Sequence, residues 1–149
     1  MSVVVCDLDG TLANIDHRLP LIKEHNPRRW DEFRLACDKD VPNEWCVKIV
    51  CAMLEMGHTV KIVTARYDVA LVKTVKWLDQ HVPGVELAMI RKVRDHRQDD
   101  VLKEEWLNSQ DKSKILFVID DHQRVVDMWR RNGLVCLQCY PKSGGYESE

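Results

Sequence analysis

Alternation predicts the fold class. Five apolar, β-prone runs are separated by helix-like segments, which is the pattern of an α/β chain built on a three-layer, doubly wound, parallel five-stranded sheet. No hairpin signal joins any major pair of runs, so the strands must be linked by crossovers and buried on both faces. The candidate polar groups fall on one rim, after the strand ends, at the edge where such sheets gather their sites.

The first run, Val3-Val4-Val5-Cys6-Asp7-Leu8-Asp9-Gly10-Thr11, ends in two aspartates and a turn. Side chains alternate along a strand, and Gly10 opens a loop that bends the second carboxylate round, so Asp7 and Asp9 are expected to reach one small ion. Residues 12–41 are richer in charge and turns, with Pro20, Pro27, Arg18, Arg28, Arg29 and a helix-like piece from Trp30 to Cys37. That is too long for a plain connection, and it reads as a small lid over the end of the first strand.

Pro42-Asn43 opens a helix with Cys46, Ile49, Val50, Met53 and Leu54 on its apolar face and Gly57 as its stop. The second strand is TVKIVT, residues 59–64, and it delivers Thr64-Ala65-Arg66. A helix capped by Asp68 follows, with Leu71, Val75 and Leu78 recurring at helical spacing until Pro83-Gly84. The third strand, residues 85–90, leads into a basic loop, Arg91 to Arg97, and a helix opened by Asp99 or Asp100 carries Lys103. The fourth strand, ILFVI at 115–119, delivers Asp120-Asp121. The last helix turns Val125, Val126 and Trp129 inward, Gly133 ends it, and residues 134–139 form the fifth strand.

Right-handed crossovers with a central first strand give the order 5-4-1-2-3. Residues 1–140 are expected to form a single domain, and residues 141–149 a disordered tail. The composition agrees: 149 residues, 45% hydrophobic and 31% charged, supply one layered core. A net charge of −2 argues against a general polyanion binder, so any polyanion must meet a local basic patch. No run approaches about 18 apolar residues, and the chain is expected to be soluble and cytoplasmic. The six cysteines lack a framework spacing and are read as buried thiols, including the pair in Cys136-Leu137-Gln138-Cys139.

Carboxylates gathered on one rim repel by about 4 kcal/mol per pair at about 4 Å and an effective dielectric near 20. A hard divalent cation relieves this, and oxygen ligands with open positions for water and phosphate suit Mg²⁺. Asp120 is the further candidate ligand, while Asp121 stands as a ligand, a partner of the ligands or a helix cap. A phosphoryl group held at such an ion needs hydrogen-bonding and positive groups around its oxygens, which Thr64 and Lys103 can supply. One carboxylate in line with phosphorus can attack it, and its neighbour can protonate the leaving oxygen and then activate water. For the acid role that neighbour needs a raised pKa, expected here from adjacent like charges.

In this order and on these elements, DLDGT, Thr64, Lys103 and Asp120-Asp121 resemble the four motifs of the haloacid-dehalogenase (HAD) phosphatase superfamily. The resemblance is closer still to the 3′-phosphatase domains of bacteriophage polynucleotide kinase/3′-phosphatases. It extends over Asp7 to Ala13, Cys37 to Val41, Asp99 to Glu105 and Ile119 to Arg131, where Met128-Trp129-Arg130-Arg131 is not demanded by superfamily chemistry. The resemblance implies Asp7 as nucleophile and Asp9 as general acid/base. It implies Mg²⁺ at the Asp7 side chain, the Asp9 backbone carbonyl and Asp120, and phosphate held by Thr64 and Lys103. Arg18, Arg66 and Arg97 would contact substrate, and Asp99 would be a functional acid. No GxxxxGK[ST] occurs, so kinase chemistry is not expected in this chain.

The reading that follows is an Mg²⁺-dependent phosphomonoesterase acting on 3′ ends of DNA or RNA, with kinase and ligase steps left to separate partners. Its setting would be the cytoplasm, that of the host where the protein is phage-encoded. Arg28, Arg29 and Trp30 would offer a lid surface to phosphate and a stacked base, with Arg91 and Arg94 completing a basic rim. A small-molecule phosphatase of the same superfamily is the alternative. A phospho-accepting receiver is the other, although its acceptor would follow the third strand, where this chain has Arg91.

Overall fold

The first strand is buried almost entirely because it lies at the centre of the sheet with both faces covered. In the structure, a computed structural model that describes residues 1–139, β1 (Val3–Cys6) pairs in parallel with β4 (Thr59–Tyr67) and β6 (Ile115–Asp120). Beyond these lie β5 (Glu86–Arg91) and β7 (Cys136–Gln138), giving β5-β4-β1-β6-β7. Counting only these five strands, this is the expected order 5-4-1-2-3 read from the other edge. A detail the sequence does not announce is a separate antiparallel ribbon, β2 (Ala13–Asn14) with β3 (Val41–Pro42). It closes the base of the long segment after β1. The expectation for residues 141–149 lies outside the described residues.

Alternation along β1 divides the core. Val4 and Cys6 join Leu8, Val50, Ile62, Trp77 and Leu78 on one face, under α3 (Glu44–Glu55) and α4 (Leu71–His81). Val5 joins Leu107, Val118, Val126 and Trp129 on the other, under α5 (Asp99–Asn108) and α6 (Gln123–Arg131). Helix α3 buries Cys46 and Val50 as its spacing predicts. Helix α4 follows the expectation only at Leu78: Leu71 and Val75 are each 40% exposed, and Thr74 and Trp77 turn inward beside Leu78. Trp77 is pulled in because its Nε1–H donates to the Asp40 carbonyl at 2.8 Å, a partner no local pattern reveals.

Residues 16–39 fold into short helical pieces, with α1 at Pro20–Lys23 and α2 at Trp30–Leu35. They enclose a small core of Ile15, Ile22 and Phe33. The Met128-Trp129-Arg130-Arg131 run has a structural use on α6. Met128 and Trp129 are fully buried, and Arg130 Nη2 donates to the Cys136 carbonyl at 3.0 Å, tying α6 to the edge strand.

Candidate active site

Two charged clusters form where β1, β4 and β6 end, and they differ in balance. The Asp7 N–H donates to the Ile119 carbonyl at 2.9 Å, so the strand pairing runs on into the first aspartate and fixes its backbone. Its carboxylate accepts from Lys103 Nζ at 2.8 Å and Thr11 Oγ1 at 3.0 Å. Lys103 is 2% exposed and donates also to Asp120 Oδ2 at 3.1 Å, an oxygen that accepts from Trp129 Nε1 as well. The other Asp120 oxygen accepts the backbone N–H groups of Asp121 and His122, the two residues before α6, so Asp120 orders that turn while it faces the site.

Carboxylate oxygens of Asp7, Asp120 and Asp121 lie within 4.8 Å of one another. Three carboxylates thus face one ammonium. Burial, and then the Asp120 charge, push the Asp7 carboxyl well above its ordinary pKa, and the same two causes raise Asp121. Burial opposes the Lys103 charge, but the carboxylates of Asp120 and Asp7 outweigh it and keep the ammonium protonated.

The second cluster is balanced. Arg66 donates to Asp9 Oδ1 through Nε at 2.9 Å and Nη2 at 2.7 Å, and Arg18 Nη2 reaches the same oxygen at 2.8 Å. Behind them Asp40, 4% exposed, accepts from Arg18 Nε and Nη2 and from Arg66 Nη2, and His17 Nε2 lies 2.6 Å from it. Burial alone would raise the Asp9 carboxyl, but the guanidinium groups of Arg66 and Arg18 hold it down to about 2.

This corrects two expectations. The Asp9 side chain is not among the carboxylates close enough to share an ion, because two arginines have claimed it. Its pKa is lowered rather than raised, because its charged neighbours are cations and not carboxylates.

The other expected residues are placed as follows. Thr64 is buried at the end of the cleft, and its Oγ1 accepts the Arg66 N–H at 3.1 Å. Asp99 Oδ1 receives Arg91 Nη2 at 2.6 Å. Arg91 itself is not the exposed rim residue expected, since it is buried and donates to the carbonyls of Ala65 and Asp95, organising the loop from within. Arg97 lies at the surface, ion-paired with Asp95 and Glu105. Cys136 and Cys139 are free thiols pushed up to about 12, chiefly by burial, and they hold no metal set among the described residues. Sequence reasoning missed Thr11 and gave Asp40 no role.

Asp7, Asp9, Arg18, Thr64, Arg66, Arg97, Asp99, Lys103, Asp120 and Asp121 line one open cleft of about 250 Å³, together with Trp30, Phe33, Arg34, Tyr67 and His96, whereas the expected Arg28, Arg29 and Arg94 do not line it. Gly10 explains how close its floor can come. Its φ is +81°, and a Cβ there would stand 2.3 Å from Asp121 Oδ2. Gly10→Ala is expected to cost about 1–3 kcal/mol through backbone strain. Because the atom it meets ends a movable side chain, the clash should act mainly by displacing the Asp121 carboxylate. Thermal melts and kcat check this, and adding Asp121→Ala should recover none of the strain.

The model of the polynucleotide kinase PNKP phosphatase domain matches residues 1–143. The chain belongs to that family. It is therefore a HAD phosphatase domain, in the class of phosphoric monoester hydrolases, and the receiver reading falls away. A chain of the Pnkp1/Rnl/Hen1 complex superposes with a TM-score of 0.78 at 28% identity, covering 93% of this chain and 45% of that one. A second structure, of the Pnkp1/Rnl/Hen1 RNA repair complex, gives 0.79 and 27%, with 95% and 44% covered. This PNKP phosphatase domain thus spans less than half the length of those relatives. A class C acid phosphatase from Bacillus anthracis, at 16% identity and a TM-score of 0.61 over 95% of this chain and 68% of that one, shares the fold.

Proposed function

We propose that this PNKP phosphatase-family chain is a Mg²⁺-dependent polynucleotide 3′-phosphatase, removing the terminal phosphate from 3′ ends of DNA or RNA. The observation that carries the reading is the unbalanced cluster: three carboxylates and one ammonium beside a cleft lined by arginines. An all-oxygen donor set with excess negative charge fits a hard divalent ion. Asp7, Asp120 and Asp121, with the Asp9 carbonyl, would hold Mg²⁺, which when bound offsets their repulsion and polarises phosphoryl oxygens.

In the reaction we assign to this site, an Asp7 oxygen attacks phosphorus and the bond from phosphorus to the 3′ oxygen breaks, leaving an aspartyl phosphate. Asp9 gives the leaving oxygen its proton, then takes one from the water that releases inorganic phosphate and restores Asp7. Clasped by Arg18 and Arg66, Asp9 is ionised and set for the second step. Serving the first requires those guanidinium groups to turn from it to the substrate phosphate. Thr64 and Lys103 hold the phosphoryl oxygens, and the helical segment at residues 12–41 acts as the lid. Separate kinase and ligase partners and a cytoplasmic setting complete the reading, and the similarity to a chain of an RNA repair complex supports the nucleic-acid part of it.

One observation favours a smaller substrate. Arg91 is occupied internally and Arg97 is paired with two acids, so the rim offers less free positive charge than its sequence implies. A side-by-side assay decides: oligonucleotides with 3′-phosphate are expected to be hydrolysed at least about 10-fold more efficiently, by kcat/KM, than 5′-phosphorylated ones or free mononucleotides, a margin of about 1.4 kcal/mol. Equal or reversed preference would remove the polynucleotide assignment and leave a small-molecule phosphatase.

A further inference from the structure

One wall of the cleft contains planar side chains that phosphate chemistry does not use. The Arg34 guanidinium lies 4.3 Å over the Tyr67 ring and 5.5 Å from the Trp30 ring, bridging the helical segment to the end of β4. Arg91 lies 5.1 Å from Tyr67, and the Tyr67 hydroxyl is 3.0 Å from His96 Nδ1, so the ring is held by neighbours on several sides. The ion pair of Arg34, with Asp31 at 3.5 Å, is long, and its carboxylate is 98% exposed. That ion pair therefore adds little hold, and it is chiefly planar partners that engage this guanidinium.

The ladder also begins next to the phosphate end of the cleft. Tyr67 follows Arg66, which grips Asp9, and Arg18, which grips the same oxygen, lies 4.5 Å over the ring of Phe33, itself packed edge-on against Trp30 at 5.8 Å. A substrate whose phosphate sits among Asp7, Arg18 and Arg66 would therefore extend its next group along this wall. For a sugar alone such a wall has no stacking partner, whereas every nucleobase has a π-face.

We propose that Trp30, Arg34 and Tyr67 form the seat for the base of the terminal nucleotide. The base stacks between these rings and the Arg34 guanidinium, in a way that tolerates any of the bases because it reads a face and not an edge. The inference rests on the polynucleotide reading above and deepens it, since it selects nucleotides from phosphomonoesters at large.

The test compares two 3′-phosphorylated oligonucleotides, one ending in an ordinary nucleotide and one ending in an abasic tetrahydrofuran residue. Wild type is expected to show a KM about 10-fold or more lower for the base-bearing end, within the range of one stacked base. Tyr67→Ala and Trp30→Ala should each bring that ratio toward one, and Tyr67→Phe should retain it. If both alanine variants leave the ratio at its wild-type value, or wild type shows no ratio at all, the seat is wrong. If wild type hydrolyses neither 3′ end, the polynucleotide reading has failed, and the seat is judged separately by calorimetry on Asp7→Asn with nucleoside monophosphates against ribose phosphates. Tighter binding of the nucleotides, lost with Tyr67→Ala, upholds it; equal binding of the two overturns it.

Discussion

Asp7→Asn is expected to lower kcat on a 3′-phosphorylated oligonucleotide by about 10⁴-fold to 10⁶-fold, the scale of losing an attacking group. The amide keeps the shape of the carboxylate: its oxygen can still accept from Lys103, 2.8 Å from one Asp7 oxygen, while its NH2 takes the side of Thr11, 3.0 Å from the other, and donates to that hydroxyl, whose own proton goes to Asp121. It also removes one charge from a crowded, buried cluster. The melting temperature should therefore hold or rise while turnover disappears. Turnover within about 10-fold of wild type, about 1.4 kcal/mol of barrier, would mean that another group attacks phosphorus.

Lys103→Met should weaken both folding and catalysis. The ammonium is the sole cation donating to Asp7 and Asp120 among the described residues, and removing one partner of a buried ion pair costs about 3–5 kcal/mol. Loss of a charge contact to the phosphoryl oxygens should lower kcat by about 10²-fold to 10³-fold. The same variant tests the cation. With the ammonium gone, the carboxylates of Asp7, Asp120 and Asp121 gain more from an added ion, so Mg²⁺ should raise the melting temperature of Lys103→Met more than that of wild type. Equal Mg²⁺ shifts in both would show that these carboxylates do not share the ion.

What the chain discloses in advance is what local pattern can carry. The run from Val3 to Thr11 reads as a buried strand ending in acids because apolar residues, then Asp and Gly, sit within nine positions, and the central place of β1 follows from right-handed crossovers. Asp120 is found the same way, at the end of a plain apolar run, and Lys103 by its place on the helix that follows the third strand. The role of Asp40 is not legible, since its partners Arg18 and Arg66 lie 22 and 26 residues away on different elements. The depressed pKa of Asp9 escapes for the same reason: its environment is set by two arginines that only the fold brings together. On α4, valines and leucines occur on more than one side, so periodicity cannot choose the face, and the Trp77 bond to the Asp40 carbonyl decides it.

The interlock between Gly10 and Asp121 also sets an order of events during synthesis. The turn after β1 emerges first, with the Thr11 hydroxyl already beside Asp7, yet the Asp7 N–H waits for the Ile119 carbonyl, and Thr11 for its second acceptor, an Asp121 oxygen 110 residues later. A nascent chain that has produced β1, β4 and β5 owns the arginine clasp but only part of the carboxylate cluster. Hydrolytic competence therefore arrives late, when the strand bearing Asp120 slides in beside the oldest one, and a ribosome stalled before that strand would display a domain with most of its sheet and no capacity for turnover.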